Sequence, residues 1–258
     1  MQLAANLSLL FTEYPLIERF AAAKRAGFAA VEVQFPYEIP AAKLREVLDQ
    51  HELTLALINL PAGDLMQGGD GLAANPHGYR AFNEALDAAL IYAEVAKPKQ
   101  VNVLAGKVVQ GSTKEQALTC LSANLLNTAQ AFSRLGIAVV TEAINPYSMP
   151  NYCLNTPDDL LLLLDDIAHP NCKAQLDIFH MAMQQINPVT AIYQLNNLIG
   201  HVQFADYPNR HEPGTGTLDF KAVLVALNAI GYQGFVAAEY VPSQTTESSL
   251  AWFKQWKV

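Results

Sequence analysis

Four oxygen-bearing side chains recur at comparable places in the chain. The segments VVTEAIN, AQLDIFH, HVQFAD and VAAEY carry Glu142, Asp177, Gln203 and Glu239 at or near the ends of four consecutive apolar runs. Three buried carboxylates cannot all stay ionised together, because each is costly to desolvate and each repels the others. A divalent cation resolves that conflict. Donors that are all oxygen, with no thiolate and at most one imidazole nearby, suit a hard ion such as Mg²⁺ or Mn²⁺ better than Zn²⁺. The expected metal shell is therefore Glu142, Asp177, Gln203 and Glu239. Singly, each has a blander reading: a solvated glutamate, a glutamine bonded to backbone, or, for Asp177, a helix N-cap. Their common placement argues for function.

Two further residues are assigned to substrate. His180 follows Asp177 by three positions, beyond the end of its run, and either hydrogen-bonds a substrate oxygen or is structural. The segment DYPNRHEPGTGTLDF contains Arg210, whose guanidinium matches a substrate carboxylate bidentately; a surface salt bridge is the alternative. His201 begins its run and is read as structural, near the bottom or middle of the fold. NLPAGD at 59–64 shapes another loop, in which Asn59 receives no role.

The elements that must position these groups repeat. Eight apolar runs stand out: Leu3–Leu9, Ala30–Phe35, Thr54–Asn59, Gln100–Ala105, Ile137–Glu142, Lys173–Ile178, His201–Ala205 and Phe235–Tyr240. Their length and β-branched content suit strands buried on both faces. Helical patterns lie between them. Pro15–Gly27 has proline at the first turn and glycine at the stop, Thr113–Gly136 opens on a Thr113/Gln116 capping box, and Asp219–Gly231 ends on glycine. A last helix is expected over Gln244–Lys257, with Trp252, Phe253 and Trp256 covering one face. Such βα units predict an α/β fold, a (β/α)₈ TIM barrel forming a single domain over 1–258. The rival, an open doubly wound sheet, usually carries GxGxxG after its first strand, and that motif is absent. In a barrel, chemistry belongs to the loops at the strand C-terminal ends.

Composition narrows the function further. The 258 residues are 51% hydrophobic and 16% charged, ample for a large core, with a formal net charge of −8. That balance opposes nucleic acid and anionic membrane surfaces as partners. Cys120, Cys153 and Cys172 are odd in number with no CxxC pair, which suits a reducing cytoplasm. The start, MQLAANLSLLF, lacks a basic region and reads as a first strand, and no apolar stretch reaches the roughly 20 residues of a membrane helix. The expected partner is a small-molecule substrate; a homo-oligomer is left open.

NLPAGD at 59–64, TEAIN at 141–145, LDIFH at 176–180, HVQFAD at 201–206, RHEPGTG at 210–216 and AAEY at 237–240 together resemble the hydroxypyruvate isomerase family of the xylose-isomerase-like barrels. The resemblance runs over essentially the whole chain. It implies interconversion of hydroxypyruvate and 2-hydroxy-3-oxopropanoate, or isomerisation of a 2-oxo-tetronate. The family's two catalytic glutamates match Glu142 and Glu239, and its metal position matches Glu142, Asp177, Gln203 and Glu239. A metal chelated by the substrate's carbonyl and hydroxyl oxygens would stabilise the developing enediolate, while one glutamate takes the proton and the other returns it. The chain departs from the family pattern at Pro208-Asn209-Arg210 and Gly216-Thr217, where PGR and GTGE are expected, which leaves the substrate's size open. The competing readings are a ketose 3-epimerase, whose family places histidine where this chain has Gln203, a multi-zinc barrel nuclease, which needs more histidines, and a non-catalytic sugar-acid-binding barrel.

Overall fold

The structure is a computed structural model that describes residues 1–256. Eight strands, β1 (Gln2–Asn6), β2 (Ala30–Val33), β3 (Thr54–Asn59), β4 (Gln100–Asn102), β5 (Ala138–Glu142), β6 (Cys172–Asp177), β7 (Ile199–Phe204) and β8 (Phe235–Ala238), pair in chain order into a closed barrel. All pairings are parallel, and β8 returns to β1 through Gln2 with Phe235 and Ala5 with Ala238. The helices between them are α1 (Leu16–Ala26), α2 (Ala41–Gln50), α3 (Tyr79–Ala96), α4 (Lys114–Ser133), α5 (Pro157–Ile167), α6 (Ile178–Met183), α7 (Pro188–Leu195), α8 (Phe220–Ala229) and α9 (Phe253–Trp256). The expected (β/α)₈ TIM barrel is the fold.

Local chemistry explains several boundaries. Helix α1 stops at Gly27, whose φ of 99° is open to glycine and strained for most other residues. Helix α4 begins with the reciprocal Thr113–Gln116 capping box, and α5 with a second one, Thr156–Asp159, followed by Pro157 in its first turn. Strand β1 ends at Asn6 and not Leu9, because Leu9 and Leu10 turn back to hydrogen-bond the Asn6 carbonyl.

The expected long C-terminal helix is corrected. A 3₁₀ turn, Ser248–Trp252, kinks at Leu250 and passes into the single turn of α9. Ahead of it, Thr246 is held by Glu13 across the chain and Ser248 bonds locally to Thr245, alternatives that compete with helix formation. Lys257 lies outside the described residues. Trp252 and Trp256 do pack as expected, against Phe204 of β7.

Side-chain alternation layers the barrel interior. Ala4, Ala30 and Ala237 pack together with Ala56. Two residues further along the same strands or their continuation come Asn6, Glu32 and Glu239, on the same face. Small side chains thus floor a polar layer that opens at the C-terminal end of the strands.

Candidate active site

The C-terminal ends of β5 to β8 bring all six anticipated site residues to one mouth. Glu142 ends β5, Asp177 ends β6, Gln203 lies near the end of β7, and Glu239 directly follows β8. Their exposures are 6%, 1%, 2% and 4%, so none is a solvated loop residue. Asp177 and Gln203 are direct register partners across β6 and β7.

Asp177 does cap a helix. Its Oδ1 accepts the Phe179 N–H at 2.8 Å at the start of α6, while Oδ2 faces Arg210 and His180, each at 3.5 Å. One oxygen is structural and the other is presented to the mouth. His180 sits on α6 and not in an irregular loop, because Asp177 starts the helix at once.

The state of His180 follows from Asn145. The Asn145 Oδ1 accepts the N–H groups of Tyr147 and Ser148 at 3.0 and 2.8 Å, which turns its Nδ2 towards His180 Nδ1 at 2.7 Å. Nδ1 is then an acceptor, so the proton resides on Nε2. Burial and the Arg210 charge push the His180 pKa down to about 3, leaving a neutral ring with an N–H donor at the mouth.

Arg210 lies at the mouth beside two of the carboxylates. It is not a surface salt bridge: its Nη2 lies 2.6 Å from Glu239 Oε2 and 3.5 Å from Asp177 Oδ2, and its guanidinium stacks 5.1 Å from the Phe179 ring centre. Its backbone is pinned, with φ at 57°, its N–H on the Asp206 carbonyl and its carbonyl on the Val241 N–H. The Asp206 carboxylate organises the rest of that loop by accepting four N–H groups, from Tyr207, Gly214, Gly216 and Leu218. A Cβ on Gly216 would meet the Tyr207 carbonyl oxygen at 1.9 Å, so the loop closes only around glycine there.

Electrostatics fit the crowding of acids. Burial, then the charges of Glu239 and Asp177, raise the Glu142 pKa to about 8. Burial also raises Asp177 and Glu239, with Arg210 opposing in both cases. Burial opposes the charge on Arg210, yet Glu239, Asp177 and Glu142 outweigh it and hold its pKa above the ordinary value.

Several site residues escape a reading focused on strand ends. Glu239 Oε1 accepts three amide groups, from Gln34 (2.9 Å), Asn6 (3.0 Å) and Gln203 (3.2 Å). Glu142 accepts Asn102 Nδ2 on Oε1 at 3.1 Å and Gln175 Nε2 on Oε2 at 2.9 Å. Gln175 Nε2 also donates to Gln203 Oε1 at 2.7 Å, so two amides link the glutamates. Glu32 is fully buried beneath them, bonded to His201 at 2.7 Å. The signal was present: a glutamate inside AAVEVQF, an otherwise apolar run, must find partners when buried. His201 is the third residue of β7 and lies in mid-barrel, as a structural histidine would.

The donor set suits a hard divalent cation, being three carboxylates and the Gln203 amide oxygen, which has a lone pair left after accepting from Gln175. The Arg210 guanidinium already stands as a cation between two of those carboxylates. Among the described residues no three His, Cys, Asp or Glu groups form a ready-made metal cluster.

The sequence profile of the xylose isomerase-like TIM barrels matches residues 20–256. The chain belongs to that family. Its relatives include the hydroxypyruvate isomerase of Escherichia coli K12, 36% identical over 257 residues with all of both chains covered, and the 2-oxo-tetronate isomerase of Haemophilus influenzae, 35% identical over 98% of each. A Brucella melitensis structure described as a family 2 AP endonuclease superposes with a TM-score of 0.95, at 34% identity and full coverage of both chains. A D-allulose 3-epimerase from Methylomonas sp. shares the barrel at a TM-score of 0.81 and 21% identity, over 97% of this chain and 88% of that one. Within this family the chain sits among named isomerases and is itself an isomerase. None of the helices described is long and apolar enough to cross a membrane.

Proposed function

We propose that this isomerase acts on a small 2-oxo hydroxy acid, hydroxypyruvate or a 2-oxo-tetronate, by moving a proton between adjacent carbons with Glu142 and Glu239. The observation that carries the reading is the pair itself. Two buried glutamates from β5 and β8 face one mouth, each accepting amide donors, and Glu239 has one oxygen, Oε2, turned to Arg210. The Asn102 and Gln175 amides that Glu142 accepts hold its carboxylate in place at the mouth, as a group that takes and returns a proton requires.

Glu142, Asp177, Gln203 and Glu239 would hold Mg²⁺ or Mn²⁺. A cation there would supply Lewis-acid stabilisation of negative charge on the substrate's oxygens. The neutral His180 donates its Nε2–H to a substrate oxygen. Arg210 recognises the carboxylate: its guanidinium reaches the mouth beside Asp177 and Glu239, and its buried Nε–H has no protein partner. The similarity to a hydroxypyruvate isomerase and 2-oxo-tetronate isomerases supports this substrate class. The net charge of −8 opposes a nucleic-acid partner, and the three free cysteines suit a reducing cytoplasm.

The test is a panel of 2-oxo acids and neutral ketoses, assayed with Mn²⁺ and with Mg²⁺, followed by NMR in deuterated water. Isomerisation of hydroxypyruvate or a 2-oxo-tetronate, with deuterium entering at the carbon beside the carbonyl, is expected. Turnover of free ketoses alone would establish an epimerase, and binding without turnover a sensor.

A further inference from the structure

We propose that Glu32 is a positioning residue for Glu239, choosing which of its oxygens is free to react. This rests on Glu239 being an acid–base group, but the arrangement that carries it stands in the geometry.

Glu32 is fully buried and accepts three donors. Its Oε1 takes Asn6 Nδ2 at 2.8 Å and Gln203 Nε2 at 2.7 Å, and its Oε2 takes His201 Nε2 at 2.7 Å. Each of those two amides spends its other hydrogen on Glu239 Oε1, at 3.0 and 3.2 Å. Glu32 Oε1, Asn6, Glu239 Oε1 and Gln203 thus form a closed ring in which two carboxylate oxygens share two NH₂ groups.

The ring has a direction. An amide can present either its oxygen or its NH₂ to a neighbour, and a carboxylate oxygen that two groups share is satisfied by their NH₂ ends. Both amides turn their NH₂ groups inwards, onto Glu32 Oε1 on one side and Glu239 Oε1 on the other. Together with Gln34, that saturates Glu239 Oε1. Oε2 alone is left towards the mouth, where its one protein partner is the Arg210 Nη2 at 2.6 Å. The same constraint turns Gln203 Oε1 away from Glu32, and Gln175 donates to it. His201, itself fully buried, holds the distal oxygen of Glu32 in place. Glu32 reaches no substrate; its influence passes through Asn6 and Gln203.

Glu32→Gln tests this, since it keeps the shape but brings a donor to a point where donors converge. A small misplacement of a reacting group costs up to about a hundredfold in rate. Turnover of the variant on the substrate identified in the panel should fall by roughly tenfold to a hundredfold, with KM little changed, and Glu32→Asp should recover part of the loss. A crystal structure of Glu32→Gln gives a readout that needs no turnover: the Glu239 carboxylate rotated, or the Asn6 or Gln203 amide turned over. If the wild type turns over nothing in the panel, the proposed substrate class has failed and the crystal structure still decides this one. A folded Glu32→Gln with wild-type kcat, or with the ring unaltered, overturns the proposal, as does a loss of melting temperature alone. Should Glu32→Gln not fold, Asn6→Ala opens the ring from the other side; a lowered kcat at constant KM is expected, and an unchanged kcat overturns it.

Discussion

Arg210 and Glu239 are joined by a 2.6 Å ion pair from Nη2 to Oε2, and that oxygen is the one its amide neighbours leave free. Under the proposed roles, the pair would tie carboxylate recognition to the reacting glutamate, since one guanidinium would serve both.

Arg210→Lys keeps the charge and loses the planar fork. KM for hydroxypyruvate should rise by about tenfold, the worth of one charge-assisted hydrogen bond, while neutral hydroxy ketones change far less. Steady-state kinetics on both substrate types checks this. Equal losses on both would show that Arg210 supports the loop and reads no carboxylate.

Asp177 has a capping oxygen and a mouth-facing oxygen, so two substitutions separate its roles. Asp177→Ala should lower Mn²⁺ affinity and activity together, and cost about 1 kcal/mol of stability for the lost cap. Asp177→Asn keeps an oxygen for the Phe179 N–H and should restore the stability but not the metal affinity. Titration calorimetry with Mn²⁺ and thermal melts distinguish them; unchanged Mn²⁺ affinity in both variants would remove Asp177 from the shell.

Glu239→Gln preserves size while removing the proton acceptor. A fall in kcat on the order of 10²-fold or more is expected, the usual scale for general acid–base catalysis, with substrate binding weakened less. Retention of most wild-type turnover would rule out the two-glutamate mechanism.

Away from the mouth, Asp159 offers a pH-dependent prediction. Burial works to raise its pKa, but the Asn155 N–H, the Lys114 ammonium and the Thr156 hydroxyl outweigh it and hold the carboxyl below 3.8. A depressed folded pKa contributes stability that is present above the unfolded value and lost as pH falls through the folded one. Asp159→Asn should therefore cost about 1 kcal/mol near pH 7, typical of a capping interaction. The difference from wild type should shrink below about pH 4. Urea melts at pH 7 and pH 3 measure it, and a constant difference at both would contradict the assignment.

Much of the barrel was legible in the chain alone. Thr54–Asn59 is read as a strand with its observed ends, and the Thr113–Gln116 capping box stands where its spacing predicts. These features are local: they depend on neighbours in sequence, on glycine's access to positive φ, and on runs apolar enough for two buried faces. Glu142, Asp177, Gln203 and Glu239 were legible for a related reason, since a parallel barrel puts every strand's C-terminal end at the same mouth.

Only the tertiary structure decided what those groups touch. Arg210 reads from sequence as a carboxylate fork or a surface ion pair, and it is on Glu239 because a loop cinched by Asp206 around Gly216 carries it back over the mouth. Glu32 lies 207 positions before Glu239 in the chain; closure of β8 onto β1, with β2 alongside, makes the two near neighbours through Asn6. Hydrogen-bond partners across a closed barrel depend on which residues face inward at one level, and strand register sets that level only when the whole sheet has closed.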